Sequence, residues 1–472
     1  MLTIETGGNV RAGGMNRRTA IRLGALGGLS LPWLLEARAA SSADRCLKDT
    51  SVVLLTLSGG PSQYETFDPQ MDAPREIRST TGEVKTTLPG VTFGGTFPRI
   101  AQLAHKLAIV RSFGTYNGDH NLSRLTRRNI QEAKDDIPSW GSMYSRVAGS
   151  LRPDTGMPTF SQINSVVFDP SLNQMRAAEF TTTFVKSGQP GTLGAAYAPF
   201  YPAGAGPLMD NMKMRLPSDR FGDRRALLAE LDKVVRAVES SGELDKTDKY
   251  REKAFEVIRR GTVKAFDLAQ EDQATLDFYD TAEYHIAHAR SPQLLNYTPK
   301  HLGKQMLLAR RLCEAGCGFV MVDCFGWDMH GNNVQDQFGC SEGMHALGYA
   351  VDKAVSAFIT DCEQRGLSKN IMLVITGEMG RTPRLDDQGG RNHWGPIAPL
   401  LIYGGGLRMG QVVGQANGRR GDAITTPYNT DHLAATIMHV LLDGTQVRLR
   451  VDLPKEVVQL ASAAERIEPL LS

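Results

Sequence analysis

This 472-residue sequence lacks several features that would assign it to a specialised class of protein. Its formal net charge is only +2, and residues 1–39 carry five arginines and two glutamates, so the rest of the chain has a net charge of about −1. Bulk charge therefore gives no reason to expect a nucleic-acid partner. The sequence has no internal repeat, no low-complexity tract and no apolar run long enough to span a bilayer.

Cysteine is also sparse, with six residues in the chain. Cys313 and Cys317 lie four residues apart, but no second pair follows at the spacing of a structural zinc site. We therefore predict that these two are core residues, or at most one disulfide bridge, which export would permit.

The N-terminus has the pattern of a twin-arginine signal peptide over residues 1–39. Arg17 and Arg18 are adjacent, a modest apolar stretch runs from Leu23 to Leu35, and a small-x-small cleavage site follows at residues 37–39. The apolar stretch is too short to cross a membrane. We predict export to the periplasm or the exterior, with the twin-arginine export machinery as a partner. The alternative interpretation is a disordered leader.

Apolar runs alternate with helical patterns along the rest of the chain. Buried strands are predicted at 51–57, 107–112, 318–323, 371–376 and 398–403, and helices at 121–134, 302–315, 343–366 and 430–442. This alternation favours parallel pairing and a three-layer α/β/α sandwich with a mostly parallel sheet. We predict one such domain over residues 45–472, with a loop-rich excursion containing short strands at about 150–215 and a helical insertion at about 219–300.

Two motifs follow directly after predicted strands. Asp328 and His330 come after the strand at 318–323, and Glu378 comes after the strand at 371–376. Open α/β sheets bind ligands at the carboxyl ends of their strands. Asp328 and His330 are two residues apart, so an extended segment puts both on one face, and His393 on a glycine-rich loop is a third candidate ligand. These residues predict a divalent metal: the histidines favour zinc, and manganese, iron and calcium are alternatives.

Glu378 and Arg381 are candidates for catalysis. We predict Glu378 as a metal ligand or general base, with a salt bridge to Arg381 or Arg384 as the alternative. Arg381 is predicted to hold an anionic substrate, because a guanidinium binds phosphate or sulfate in bidentate geometry. The alternative is that Arg381 only pairs with Glu378.

His120 and Ser62 are two further catalytic candidates. His120 follows the strand at 107–112 and precedes a predicted helix, so it could act as a ligand, base or nucleophile. Ser123 is a weaker nucleophile candidate that helix capping explains equally well. Ser62 and Glu65 follow the pair Gly59-Gly60 and could face the same cavity, although a turn and a helix cap also explain them.

Several sequence segments, in this order along the chain, resemble those of a known family. They are Gly59-Gly60-Pro61-Ser62, Trp327-Asp328-Met329-His330-Gly331-Asn332-Asn333, Gly377-Glu378-Met379-Gly380-Arg381-Thr382-Pro383, His393-Trp394, Gly404-Gly405-Gly406 and Asp431-His432. Over nearly its full length the chain is similar to the exported family called domain of unknown function 1501, grouped with the alkaline-phosphatase-like superfamily. The resemblance implies a three-layer α/β fold with one or two metals at strand ends, and hydrolysis or transfer of phosphate or sulfate esters.

The chain departs from the superfamily pattern at one of the two implied metal sites. Superfamily enzymes usually carry an Asp after the first strand and an Asp-His pair after the later one, where this chain has Ser58-Gly59 and Glu378-Met379. The resemblance therefore implies one intact site, formed by Asp328, His330 and His393. A second metal would need ligands from His120, Glu378 or Glu65. No cysteine has the Cys-x-Pro-x-Arg context of formylglycine sulfatases, so that mechanism is not expected.

The leading functional prediction is an exported metal-dependent hydrolase of phosphate- or sulfate-type esters. Its substrate would be a small anionic ester or a sulfated or phosphorylated glycan. The alternative is a non-catalytic exported protein that binds an anionic glycan or a surface partner, which the two missing ligands would explain. A weaker third option is a metal-dependent mutase or transferase.

Overall fold

The computed structural model describes residues 45–127, 136–169, 176–202, 262–285, 299–331 and 338–471. Residues Cys46–Ser472 form one compact unit. The predicted signal peptide lies outside the described residues, as do parts of the predicted excursion and insertion. No helix in the described ranges is both long enough and apolar enough to cross a membrane.

The described residues contain thirteen strands, which we number along the chain: β1 Ser51–Ser58, β2 Glu83–Lys85, β3 Thr92–Gly94, β4 Leu107–Val110, β5 Phe160–Ile163, β6 Phe319–Phe325, β7 Ile371–Thr376, β8 Gly380–Arg381, β9 His393–Trp394, β10 Leu400–Gly404, β11 Gln411–Val413, β12 Ala416–Asn417 and β13 Asp422–Ala423. The α-helices in the same ranges are Pro98–Gln102, Ser123–Thr126, Trp140–Ala148, Arg176–Ser187, Gln273–Tyr279, Leu302–Glu314, Cys340–Gly343, Tyr349–Gln364, Thr430–Leu441, Gly444–Arg448 and Lys455–Ala461. A π-helical turn at Met344–Gly348 joins the seventh and eighth of these helices.

Seven strands form the central sheet, in the order β11-β4-β10-β7-β1-β6-β5. Every neighbouring pair is parallel except the two pairs made by β10, which runs antiparallel to β7 and to β4. All eight residues of β1 are buried, because it lies inside the sheet and both of its faces are covered.

Two apolar cores cover the two faces of this sheet. Successive side chains of β1 point to opposite faces, so Val53 and Leu55 enter one core and Val52 and Leu54 enter the other. The first core includes the helices Leu302–Glu314 and Tyr349–Gln364; the second includes Trp140–Ala148 and Thr430–Leu441. The structure therefore confirms the predicted three-layer α/β/α sandwich with a mostly parallel sheet.

The predicted strands all end within two residues of the observed ones, but two regions differ from the prediction. Of the helix predicted at 121–134, the structure describes Ser123–Thr126, and residues 128–135 lie outside the described part. The stretch at 150–215 contains β5, an edge strand of the central sheet, and the helix Arg176–Ser187. β5 is one of the short strands expected in this Gly- and Pro-rich stretch, whereas the helix was not expected.

All six cysteines are buried and none forms a disulfide. Cys313 and Cys317 belong to the first apolar core, which agrees with their prediction as core residues. Burial raises the pKa of the Cys317 thiol to about 12. The thiols therefore behave as small apolar side chains in this fold.

A buried ion pair fixes the loop that leads to β9. Arg391 and Glu65 are both fully buried, and Nη2 of Arg391 lies 3.0 Å from Oε1 of Glu65. The guanidinium also donates to the carbonyl of Ile77 at 2.8 Å, and Oε2 of Glu65 accepts from Ser79 and Thr80. Glu65 therefore does not face a cavity as predicted. It holds together two loops that are distant in sequence.

Replacing Arg391 by methionine should destabilise the protein by about 3–5 kcal/mol, because Glu65 would remain buried without its partner. Urea unfolding followed by circular dichroism would measure the change. The control is Arg384→Met, since the Arg384 side chain is 76% exposed and its ion pair with Glu76 spans 3.5 Å. Equal losses in the two variants would contradict the importance of the buried pair.

Candidate metal centre

Loops at the carboxyl ends of the central strands carry the candidate ligands. Asp328 and His330 follow β6, which ends at Phe325, while His393 lies in β9 and pairs with Arg381 of β8. His120 lies between β4 and the helix Ser123–Thr126. Parallel strands end at the same edge of the sheet, which explains why motifs distant in sequence meet there. Residues 332–337, which include the end of the first motif, lie outside the described ranges.

Four side chains converge at this edge. His120, Asp328, His330 and His393 each offer one ligand atom, and these atoms all lie within 4.8 Å of one another. Nε2 of His330 lies 2.9 Å from Nε2 of His393 and 2.9 Å from Oδ1 of Asp328. Nε2 of His393 is 3.4 Å from the same oxygen, and Nε2 of His120 is 3.4 Å from Oδ2 of Asp328.

Hydrogen-bond partners assign one imidazole proton and leave a second open. Nδ1 of His393 lies 2.9 Å from the carbonyl oxygen of Gly118, which can only accept, so Nδ1 carries a proton. Nε2 of His330 lies 3.3 Å from Nη1 of Arg381, which can only donate, and 2.9 Å from Oδ1 of Asp328, which accepts. Two imidazole nitrogens and a carboxylate oxygen therefore face one another, an arrangement that a divalent cation would stabilise.

The spacing of these three atoms fits a small divalent metal. Zinc binds nitrogen and oxygen ligands at about 2.0–2.2 Å in tetrahedral geometry, which places neighbouring ligand atoms roughly 3.3–3.6 Å apart. The distances among His330, His393 and Asp328 are 2.9, 2.9 and 3.4 Å. The three residues therefore fit a resident metal with only small adjustments of their side chains.

His120 has different surroundings from the other two histidines. Its Nε2 faces Asp328 at 3.4 Å and its Nδ1 faces Oε1 of Glu378 at 3.2 Å. Burial lowers the pKa of His120, but the contacts with the two carboxylates outweigh it and raise the pKa to about 9. His120 therefore contacts both carboxylates and also belongs to the converging group of possible ligands, so it stays a candidate for either role.

Glu378 lies beside the converging group and is not a member of it. Its Oε1 accepts the N–H of Gly59 at 2.8 Å and contacts His120, whereas its Oε2 is buried with no hydrogen-bond partner among the described residues. This position allows Glu378 to orient His120. Its predicted role as a metal ligand stays a prediction.

Arg381 is almost completely buried, and its guanidinium donates hydrogen bonds mainly to backbone carbonyls. Nε donates to the carbonyl of Gly60 at 2.8 Å, Nη1 to the carbonyl of Arg391 at 2.9 Å, and Nη2 to the carbonyl of Gly59. Nη2 also contacts Oδ1 of Asp328 at 2.7 Å, so the carboxylate partner of Arg381 is Asp328 and not Glu378 as in the alternative prediction. These contacts favour a positioning role over the predicted capture of a substrate anion.

Ser62 lies in the buried turn after β1. Its hydroxyl oxygen is 3.4 Å from the N–H of Glu65, and its carbonyl accepts from the hydroxyl of Thr66 at 2.9 Å. These contacts are typical of a capped turn, the alternative that the sequence left open. The predicted catalytic role of Ser62 gains no support from them.

The electrostatics of the centre depend on Asp328. Burial alone would raise its pKa, but hydrogen bonds with His120, His330 and His393, together with the charge of Arg381, hold the pKa well below its usual value. Asp328 therefore remains ionised and supplies the negative charge that a metal ion requires.

The loop before His120 contributes residues that the sequence analysis missed. The carbonyl of Gly118 fixes His393, and the side chain of Asn117 donates to the carbonyl of Glu378 at 3.2 Å. Tyr116 has a φ of 51°, which is uncommon for a residue with a side chain, and it is 53% exposed. Asn117-Gly118 is a turn signal that could have indicated this loop.

Asp323 is a second residue that the sequence analysis missed. It lies buried in β6, where its Oδ1 accepts from the hydroxyls of Thr56, at 2.9 Å, and Ser58, while its Oδ2 has no hydrogen-bond partner among the described residues. Burial raises the pKa of Asp323 to about 7. An acidic residue inside an otherwise apolar strand was the available signal.

Asp323→Asn should reduce the dependence of stability on pH. The pKa of Asp323 is raised on folding from 3.8 to about 7, so the folded chain binds more protons in this window and loses stability as the pH rises. The amide keeps an acceptor for Thr56 and Ser58 but does not titrate. The advantage of the variant over wild type in unfolding free energy should be larger at pH 8 than at pH 5 by about 2–3 kcal/mol.

Urea unfolding at a series of pH values would measure both proteins. If the difference in unfolding free energy between wild type and Asp323→Asn were the same at pH 5 and pH 8, the raised pKa of Asp323 would be wrong.

Residues 49–462 match the model of a family described as "Protein of unknown function (DUF1501)". The match covers most of the chain and agrees with the resemblance carried by its motifs. A search of curated proteins found no match.

Three solved structures with a similar course of the chain are a sulfatase, a phosphonate hydrolase and a lipoteichoic acid synthase. PsFucS1 sulfatase from Pseudoalteromonas sp. is 10% identical with a TM-score of 0.38, and 86% of this chain and 71% of that chain are covered. Phosphonate monoester hydrolase SpPMH from Silicibacter pomeroyi is 10% identical with a TM-score of 0.39, covering 89% and 76%. Lipoteichoic acid synthase LtaP from Listeria monocytogenes is 8% identical with a TM-score of 0.31, covering 86% and 77%.

Proposed function

The chain belongs to the DUF1501 family, and we propose that it is an exported metal-dependent hydrolase of phosphate- or sulfate-type esters. The observation that carries the proposal is the approach of two imidazole nitrogens and one carboxylate oxygen to within 2.9–3.4 Å of one another. A cation between His330, His393 and Asp328 would stabilise this arrangement, and its position at strand ends suits a substrate site.

Asp328, His330 and His393 would hold the metal. Zinc suits two imidazoles and a carboxylate best, with manganese, iron and calcium as alternatives. A bound divalent ion of this kind polarises an ester oxygen or makes water a stronger nucleophile. The substrate would be a small anionic ester or a sulfated or phosphorylated glycan.

His120 is proposed as the group that exchanges a proton with the ester. Its side chain is 34% exposed, the most accessible of the four converging residues, so a substrate could reach it. Glu378 orients it through the 3.2 Å contact with Nδ1, which leaves Nε2 on the side of Asp328. General acid or base catalysis needs such a positioned imidazole within reach of the reacting oxygen.

Arg381 is proposed to position the metal ligand Asp328. Its 2.7 Å contact with Oδ1 fixes the carboxylate, and its donors to Gly59 and Gly60 fix the neighbouring loop. Removing a partner that orients a ligand typically costs about 10–100-fold in metal affinity.

We also propose that the protein acts outside the cytoplasm. The adjacent Arg17 and Arg18, the apolar stretch that follows and the cleavage site at 37–39 are typical of a twin-arginine signal peptide. Export in a folded state would allow the metal to be inserted beforehand.

Elemental analysis of the folded, exported protein should find a near-stoichiometric divalent metal, and Asp328→Ala/His330→Ala should lose it, since two of three ligands are gone. The matched control is Asp154→Ala/His285→Ala, which removes one acidic residue and one histidine that are both exposed. Absence of metal from the wild-type protein would refute the proposed centre.

His120→Gln should retain the metal but lower kcat for aryl phosphate or aryl sulfate hydrolysis by about a hundredfold or more, because proton transfer is lost. The exposed His345 provides the control variant His345→Gln, which should keep full activity. Turnover unaffected by His120→Gln would refute its role. A metal-loaded protein that hydrolyses no ester would favour the alternative of an exported binding protein.

A further inference from the structure

Two loops border the strand that carries His393. The first contains Tyr116, whose N–H donates to the carbonyl of Gly395 at 2.8 Å. The second, residues 417–421, joins β12 to β13 and accepts a hydrogen bond from Nε1 of Trp394. Both contacts are made within two residues of His393, so both loops are within reach of a substrate that extends beyond the candidate metal centre.

Tyr116 is exposed in a strained backbone conformation. The residue is 53% exposed, and its φ of 51° lies in the left-handed region, which is unfavourable for a tyrosine. Its backbone is fixed by the close approach of Gly395, where a Cβ atom would lie 2.8 Å from the carbonyl carbon of Tyr116. Asparagine or glycine would adopt this conformation at lower cost. Strain of this kind is concentrated at binding loops, where the side chain serves a ligand.

The second loop, which we call the arginine turn, brings two positive charges to the same border. Arg419 and Arg420 are both exposed, and their N–H groups donate to the side chain of Asn417 at 3.0 and 3.1 Å. Nε of Arg420 lies 3.2 Å from Oδ1 of Asp422, whose side chain is 44% exposed. Such an exposed ion pair contributes little stability, so Arg420 can exchange Asp422 for an anionic group of a ligand.

The arginine turn is anchored to the rest of the site. The hydroxyl of Tyr64 donates to the carbonyl of Gly418 at 2.9 Å. A Cβ atom at Gly421 would lie 2.7 Å from Cγ of Pro383, so the turn packs closely against the loop that follows β8. The turn therefore has a fixed position beside His393, and a ligand would bind it without first ordering a loop.

The combination of an exposed aromatic ring and exposed arginines suits one class of molecule. A sugar ring offers an apolar C–H face that packs on an aromatic side chain, and sulfate or phosphate groups on neighbouring sugars offer oxygens to guanidinium groups. A simple aryl ester has no anionic group beyond the reacting one, and an acidic polypeptide has no sugar ring.

We propose that Tyr116 and the arginine turn bind an anionic oligosaccharide. Tyr116 would pack against a sugar ring next to the one that carries the reacting ester, and Arg419 and Arg420 would bind further sulfate or phosphate groups. The inference rests on the proposed function for the reacting ester, and it selects a glycan over a small ester as the substrate.

Isothermal titration of the folded protein with dextran sulfate and dextran phosphate oligosaccharides of matched length tests this inference at about 0.15 M salt. We expect saturable binding of at least one of them, and the tighter of the two identifies the anionic group. Neutral dextran and poly-L-glutamate of similar length should bind much more weakly, because each lacks one of the two features.

Tyr116→Asn should weaken oligosaccharide binding about tenfold, because the ring is lost, while Tyr116→Phe should keep most of it. Asparagine tolerates the left-handed conformation, so the unfolding free energy should not fall. Arg419→Gln/Arg420→Gln should also weaken binding and reduce its dependence on salt. The controls are Phe278→Asn, at another exposed aromatic residue, and Arg448→Gln/Lys455→Gln, which removes two exposed charges from other helices.

Four results would overturn the inference: no saturable binding of either oligosaccharide, equally tight binding of poly-L-glutamate, full binding by Tyr116→Asn, or equal losses in Tyr116→Phe and Tyr116→Asn. Binding is measured without turnover, so the two proposals can fail separately. Metal content and ester hydrolysis without oligosaccharide binding would leave only the hydrolase, whereas binding that depends on Tyr116 without hydrolysis would leave only this site.

Discussion

The buried charge of Arg381 is the constraint on which the candidate metal centre depends. A buried guanidinium is costly unless its donors are all satisfied, and here the carbonyls of Gly59, Gly60 and Arg391 and the carboxylate of Asp328 satisfy them. These acceptors belong to three loops, so the loops must close around one side chain. Gly59 permits this closure, since a Cβ atom there would lie 2.5 Å from the backbone nitrogen of Asp328.

The sequence predicts where this centre lies better than it predicts the role of each residue in it. Asp328, His330 and His393 could be grouped because each follows or adjoins a strand end, and the parallel sheet brings such ends together. The roles of Glu378 and Arg381 depend on the orientation of their side chains, and residue spacing in the sequence does not determine that orientation. Glu65 illustrates the same limit, because its partner Arg391 is 326 residues away and both are hidden in the core.

The buried, unpaired cysteines fit the proposed route of export. Burial raises the pKa of Cys317, Cys324 and Cys340 to about 12, so the reactive thiolate is strongly disfavoured at all three. A protein that folds in a reducing compartment has no need of disulfides, and its thiols are protected once the core has formed. Folding before transport, as the twin-arginine pattern implies, would produce such a molecule.

The wide separation of the ligands along the chain has a consequence for the order of events during folding. His393 meets Asp328 across 65 residues, and His120 meets Glu378 across 258. Parallel strand pairing closes long loops and forms slowly, so the ligand set is complete only after the sheet has assembled. A metal ion could not serve as a nucleus for this chain, as it does in a zinc finger, and would enter a scaffold that is already built.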